Sequence, residues 1–193
     1  MIIMDSSKLL ARCRAGDELA VETLVREYRP RLFRLALSIL DDGSEDGPAD
    51  ADEASQDALL KALRSLDSYR GDAALFTWLY AITVNICRNH LRTRRRRKQM
   101  QYLFQNLTST IENKPQKPEE EVLTHETDTN LLQAVYQLND KHRTPIILRY
   151  YHACSILEIA QILKVPEGTI HSRLNTARRR LKIHLQTVEE RQE

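Results

Sequence analysis

The sequence predicts an all-α protein: two small helical domains joined by a flexible linker, the C-terminal one a helix-turn-helix. Three observations predict it. Only five glycines occur in 193 residues, and alternating β-branched runs are few, which disfavours sheet. Apolar residues recur at a helical period through most of the chain. Residues 99–124 lose that period and carry Asn106, Asn113, Pro115 and Pro118 among Gln, Glu and Lys, a linker composition. The first domain is then 1–98 and the second 125–193, with a helical tail reaching to about Leu107.

The first helix covers 5–15, capped by Asp5 or Ser6, with Leu9, Leu10 and Cys13 inward. Gly16 ends it and Asp17 caps the next, over 18–41, where Val21, Leu24, Val25, Tyr28, Leu32, Leu35 and Ile39 keep a 3.6 period. Pro30 lies inside that pattern and should kink it. An acidic loop at 42–48 leads to a third helix over 49–66, packed through Ala58, Leu59, Ala62, Leu63 and Leu66. Its first turns carry Asp50, Asp52, Glu53, Gln56 and Asp57. The helix dipole favours acids there, but so many exceed what capping needs, so the face is either dipole-stabilised surface or a protein-docking site.

The turn Asp67–Asp72 turns on Gly71, and a helix follows with Leu75, Leu79, Ile82 and Ile86 as an apolar stripe. On an adjoining face fall Trp78, Asn85, Arg88, Asn89 and Arg92, leading into the basic block Arg94–Lys98. An aromatic to stack on bases, amides to read base edges and cations for phosphate are what single-stranded DNA binding requires. A core Trp above a solvated basic helix end is the plainer alternative.

Four helices make up the C-terminal half: 125–137, 141–151, 155–163 and a last one opened by Pro166 and reaching about Gln186. Pro145 either sits in a first turn capped by Thr144 or kinks its helix. Ser155 caps the third. Two short helices across the turn Lys164-Val165 form a helix-turn-helix. In the last helix Ile170, Leu174, Ala177 and Leu181 point inward. Gly168, Ser172, Asn175, Arg179 and Lys182 face out, flanked by His171, Arg173, Thr176 and Arg178. Ser, Asn and Arg on such a helix are base- and phosphate-contacting types for a major groove.

The net charge of +2 hides segregation. From Asp41 to Asp57 every ionisable side chain is acidic, and from Arg88 to Lys98 every charged one is basic, which suggests separate surfaces for nucleic acid and for another partner. Cys13, Cys87 and Cys154 are scattered with no CxxC, as in a reducing cytosol, and no apolar run reaches membrane-spanning length. The six His show no HExxH or Cys/His metal spacing, and no Gly-rich phosphate loop is present. These patterns argue against an enzyme and call for no metal or cofactor.

With both stretches in view, the chain resembles the extracytoplasmic-function group of bacterial sigma-70-type sigma factors. The N-terminal signature runs from Ala51-Asp52-Glu53-Ala54-Ser55-Gln56-Asp57 through Leu66-Asp67-Ser68-Tyr69-Arg70-Gly71-Asp72 to Phe76-Thr77-Trp78-Leu79-Tyr80 and Val84-Asn85. The C-terminal one comprises Leu138, Arg143, Glu158-Ile159-Ala160, Glu167-Gly168-Thr169-Ile170-His171-Ser172-Arg173-Leu174 and Ala177-Arg178.

The resemblance implies a monomeric, cytoplasmic initiation factor that binds core RNA polymerase at its clamp helices and flap and reads promoter DNA. Asp52, Glu53, Gln56, Leu59 and Leu60 would meet the clamp. Tyr69 and Asn85 would line a pocket for a base flipped from the −10 element, with Ser65 and Leu66 beside it, and Trp78 would either separate strands or support the helix contact. Arg88, Asn89 and Arg92 would extend that surface. Gly168, Thr169, His171, Ser172, Arg173, Asn175, Thr176, Arg178 and Arg179 would read the −35 duplex. An anti-sigma protein commonly holds such factors. Departures include Ala54-Ser55 before Gln56, Asn139 where Pro is common, and Ala153-Cys154 where a Gly-Leu-like pair opens the helix-turn-helix. Two rivals remain: a helix-turn-helix repressor or activator with an N-terminal ligand domain, and a degenerate sigma-type protein that binds polymerase without directing transcription.

Overall fold

The computed structural model describes residues 6–41, 46–108 and 126–189, and among them every regular element is helical. Helix α1 (Ser6–Arg14) and α2 (Glu18–Leu40) are joined through Gly16, whose φ of +80° is the left-handed geometry a tight reversal needs. Asp17 caps α2, its carboxylate accepting from the Leu19 and Ala20 amides. The helix continues through Pro30, which lies on its exposed side. Helix α3 (Gly47–Arg64) begins two residues earlier than the sequence suggests, because Pro48 is tolerated in a first helical turn. A Cβ on Gly47 would stand 2.8 Å from the Asp41 carboxylate and 3.0 Å from its Cα, so only glycine lets the chain close there.

A 3₁₀ turn, Leu66–Ser68, leads to the bend at Gly71 (φ +84°) and then to α4 (Leu75–Thr108), 34 residues long. The helical tail therefore reaches Thr108; residues 109–125, which include the rest of the linker, lie outside the described residues, as do Asp5 and residues 42–45 of the acidic loop. The buried stripe of α4 differs from the expected one. Leu75, Leu79, Tyr80, Thr83, Val84, Cys87 and Leu91 are buried, while Ile82 and Ile86 are only partly so. The packed face is rotated toward residues that read as polar or neutral. Thr83 enters it because its hydroxyl donates to the Leu79 carbonyl (3.0 Å).

In the C-terminal half, α5 (Glu126–Gln137) precedes α6 (Asp140–Ile146), which continues as a π-helical turn, Ile147–Tyr151. Asn139, not Thr144, stands at the start of α6; Thr144 and Pro145 are buried in its interior. The backbone widens directly after Pro145, whose ring cannot donate to the preceding turn. Helix α7 (Ile156–Leu163) is opened by a capping box in which Ser155 and Glu158 each accept the other's backbone amide proton. Lys164 ends it at φ 53°, and α8 (Glu167–Glu189) follows.

Ala153 also adopts a left-handed backbone, φ 53°, at the position where the resemblance expects a glycine. That geometry costs an L-residue about 1–2 kcal/mol. Ala153→Gly should therefore stabilise the fold by up to ~1 kcal/mol net of the greater freedom glycine has when unfolded, read as a melting temperature raised by a few degrees.

The two halves pack on one another through α4 and α7. His152 sits in that contact, its Nε2 3.1 Å from the Ser38 hydroxyl of α2 and its ring edge-on to Tyr80 of α4. Burial, with Arg34 nearby, pushes its pKa down to about 4, so it is neutral at physiological pH. Arg95 pairs with Asp140 (3.0 Å) across the same boundary.

Candidate nucleic-acid interface

The bend before α4 is fastened from a distance. Arg14, the last residue of α1, donates to the carbonyls of Leu66 (2.8 Å) and Tyr69 (2.7 Å). Tyr69 donates its hydroxyl to the Ala73 carbonyl (2.6 Å) and lays its ring 5.2 Å from that of Trp78. Burial pushes the Tyr69 phenol above its ordinary pKa, so it stays a neutral donor. Tyr69, Trp78 and the Gly71 bend line a cavity of about 180 Å³, which Gln161 and Lys164 of α7 close from the other half.

Asn85 and Asn89 are exposed on α4 beyond this cavity. Asn85 lies two helical turns, about 10 Å, past Trp78 on the same face, so the structure brings Tyr69 together with Trp78 rather than with Asn85. Arg92 is exposed and Arg88 half-buried. One expected DNA contact needs correction. The Leu66 side chain is in the core, because its 3₁₀ turn folds back under α1. Ser65, half-buried before that turn, donates its hydroxyl to the Lys61 carbonyl (2.6 Å), closing the end of α3, and its oxygen can still accept. In the basic block, Arg94 is structural: it donates to the Leu40 carbonyl and pairs with Asp50 at 2.6 Å.

On α8, Ile170, Leu174 and Ala177 are buried as expected, and Leu181 is partly so. Gly168, His171, Ser172, Asn175 and Arg179 are exposed, and Thr169, Arg173 and Thr176 are half-buried on its flanks. A Cβ on Gly168 would meet nothing within 4 Å, so no packing demands glycine there. Arg178 is exposed too and is tethered along the surface, donating to the Tyr150 hydroxyl (2.8 Å) and to Asn175 (3.2 Å).

On α3, Asp52 accepts from Arg29 (3.4 Å) and Gln56 (2.6 Å), while Glu53, Gln56 and Leu60 face solvent. Leu59 is a correction. It is 5% exposed against 50% for Leu60 and belongs to the hydrophobic core, so it cannot offer a partner its side chain.

Comparison with known proteins settles the family. Residues 24–97 match the family model Sigma-70 region 2, and residues 134–182 match Sigma-70, region 4. The chain is 32% identical over 186 residues to the RNA polymerase sigma-H factor of Pseudomonas aeruginosa, covering 94% of each. It is 30% identical to the ECF RNA polymerase sigma-E factor of Haemophilus influenzae, covering 93% of this chain and 95% of that one. The chain belongs to the extracytoplasmic-function sigma factors of the sigma-70 family.

Two solved structures are similar to this sigma factor. The RpoE sigma factor of Bartonella quintana, in complex with the anti-sigma factor NepR, is 25% identical with a TM-score of 0.58, covering 86% of this chain and 96% of that one. CnrH, in complex with the cytosolic domain of CnrY, shares the fold at a TM-score of 0.65 and 22% identity, covering 93% and 96%.

A sigma factor is a transcription initiation factor and not an enzyme. The three cysteines are buried; burial pushes Cys87 up to about 12 and Cys154 up to about 11, which leaves both as inert thiols. Asp50, Glu53 and His90 bring ligand atoms within 4.8 Å of one another, but the Arg94 guanidinium already neutralises Asp50. Among the described residues, no helix is long and apolar enough to cross a membrane.

Proposed function

We propose that this sigma factor acts as a cytoplasmic monomer that binds core RNA polymerase through the acidic face of α3 and the flap through its C-terminal half. It reads the −10 element as a flipped-out single strand and the −35 element as duplex in the major groove. The observation that carries the reading is the pairing of two different surfaces in one chain. Beside the arginine-fastened bend lie an aromatic-lined cavity and a row of exposed amides and guanidiniums, suited to unstacked bases. On α8 lies a short-turn recognition helix with exposed Ser172, Asn175 and Arg179, suited to a duplex. A repressor reading accounts for the second surface and leaves the first without a purpose.

An anti-sigma protein is the expected regulator. A groove of about 900 Å³ runs between α2 and the C-terminal helices, lined by Leu37, Leu131, Leu132, Val135, Ile147, Tyr150 and Leu181. Leu131, Leu132 and Tyr150 are exposed there, a surface that fits the apolar face of a partner helix.

The deciding experiment mixes the protein with sigma-free core polymerase and genomic fragments and sequences the run-off transcripts. Discrete starts sharing two upstream boxes are expected; duplex binding by the protein alone, without transcripts, would establish the repressor instead. In the same assay Asn85→Ala should impair promoter opening and spare polymerase binding, and equal loss of both would remove Asn85 from base recognition.

The two DNA surfaces also differ in what a mutation should do. Asn175→Ala should cost about 1–3 kcal/mol and relax preference at one −35 position. Arg179→Ala should weaken all sequences alike and flatten the salt dependence. Electrophoretic mobility titrations of holoenzyme over promoter variants at several salt concentrations separate the two.

A further inference from the structure

Where the N-terminal half meets the C-terminal half, below the α4–α7 contact, lies a second polar cavity of about 370 Å³ lined by Arg88, Arg92 and Arg95 of α4, Asp140 and Lys141 of α6, and Arg173 of α8. Five cations surround one carboxylate. That carboxylate is already committed, since Asp140 accepts from Arg95 at 3.0 Å and from Arg143 at 3.2 Å. Among the described residues, Arg88, Arg92, Lys141 and Arg173 have no acidic partner.

Arg88 is the telling member. It is half-buried, and its guanidinium is pushed below its ordinary pKa by burial and then by the charge of Arg173, with Asp140 pulling the other way. A guanidinium does not give up its proton in a protein, so an anion in the cavity would relieve this crowding. The cations stand on both sides of the cavity, three on α4 and two on the C-terminal half. A single small anion would neutralise one side; a chain of linked phosphates reaches both.

We propose that this cavity binds a free polyphosphate anion, of the class of pyrophosphate, tripolyphosphate or the phosphate chain of a nucleotide, held by Arg88 and Arg92 from α4 and by Lys141 and Arg173 from the C-terminal half. Such a ligand draws the halves together and occupies cations that would otherwise meet DNA phosphates. The cavity is far too small for a duplex, whose major groove alone is about 12 Å wide.

Calorimetric titration of the full chain at low salt with tripolyphosphate, pyrophosphate and orthophosphate tests this, and it needs no polymerase, so its outcome stands apart from the sigma activity. One site per chain is expected, with tripolyphosphate at least tenfold tighter than orthophosphate and binding weakened by salt. Arg88→Gln on one side and Lys141→Ala on the other should each weaken it at least tenfold. Arg26→Ala, on an exposed arginine paired with Glu22, should leave it unchanged. Lys141 is exposed, so its variant keeps the fold, and a melting curve verifies both.

A short oligothymidylate serves as the comparison ligand. Its binding should depend on Arg88 and not on Lys141. If tripolyphosphate fails to bind, if Arg26→Ala weakens binding as much as Lys141→Ala, or if the oligothymidylate binds more tightly and needs Lys141 too, the proposal is overturned; in the last case the cavity is a DNA-phosphate site.

Discussion

Arg14→Ala should lower promoter opening at least tenfold while leaving affinity for core polymerase within twofold. Arg14 lies far in sequence from the bend it fastens, yet its guanidinium meets two carbonyls there, those of Leu66 and Tyr69. Charge-assisted bonds of this kind contribute about 1.5–3 kcal/mol when removed from a partly buried site. Without them the Tyr69 carbonyl loses the guanidinium and the Leu66 carbonyl keeps only the Tyr69 amide, and the Tyr69 ring is free to leave Trp78. Under the proposed function this cavity receives an unstacked base and must stand ready before the base arrives, because unstacking already costs a few kcal/mol. The mutation acts on the preparation of the pocket, not on any contact to DNA. Permanganate footprinting of the opened region, beside a polymerase-binding titration, separates the two effects. Arg14→Lys should rescue only in part, since an ammonium cannot span both carbonyls with the same planar fork. Equal loss of polymerase affinity would mean that α1 has come away from the bend altogether.

Much of this organisation is legible in the residues. Asp17 and Ser155 announce their helices because a short polar side chain before an apolar run has one good use, and both cap as expected. Gly71 marks its bend, and the stripe of α8 is where its period places it. The misreadings share a cause: local pattern does not report what lies opposite. On α4 the isoleucines look like the core stripe, but Thr83, Val84 and Cys87 are the residues wholly buried. Arg94 reads as one more cation in a run, although its partners Leu40 and Asp50 belong to two other helices. Arg14 carries no local signal at all.

The contact between the halves was equally silent, for it rests on His152, Ser38 and Tyr80, three residues that no period connects. Its consequence reaches the site. Gln161 and Lys164 close the cavity beside Trp78, and Arg173 joins Arg88, so the helix-turn-helix borders the proposed single-strand surface at both ends. Under the proposed function, reading two promoter elements at once would require these neighbours to part. The polar and like-charged character of the contact around Arg88 and Arg173 suits a boundary that opens.

Leu59 and Leu60 provide the sharpest separation of fold from docking. They are adjacent and chemically identical, and the resemblance places both on the polymerase-binding face although the helical period already puts Leu59 among the packed residues. The structure sends them to opposite sides. Leu59→Ala should destabilise the protein by about 2–4 kcal/mol, the cost of removing a buried leucine and leaving a cavity in the core. Chemical denaturation should show it as a lower midpoint with an unchanged slope, and polymerase affinity measured on the folded fraction should stay near wild type. Leu60→Ala should do the reverse, with stability within about 0.5 kcal/mol of the parent and polymerase affinity at least tenfold weaker. An exposed leucine among Asp57, Glu53 and Gln56 gains nothing from the fold; burial beneath a partner would give it a use. If Leu60→Ala leaves affinity intact, the acidic face of α3 is held in place by the helix dipole alone, and the polymerase must grip the protein elsewhere.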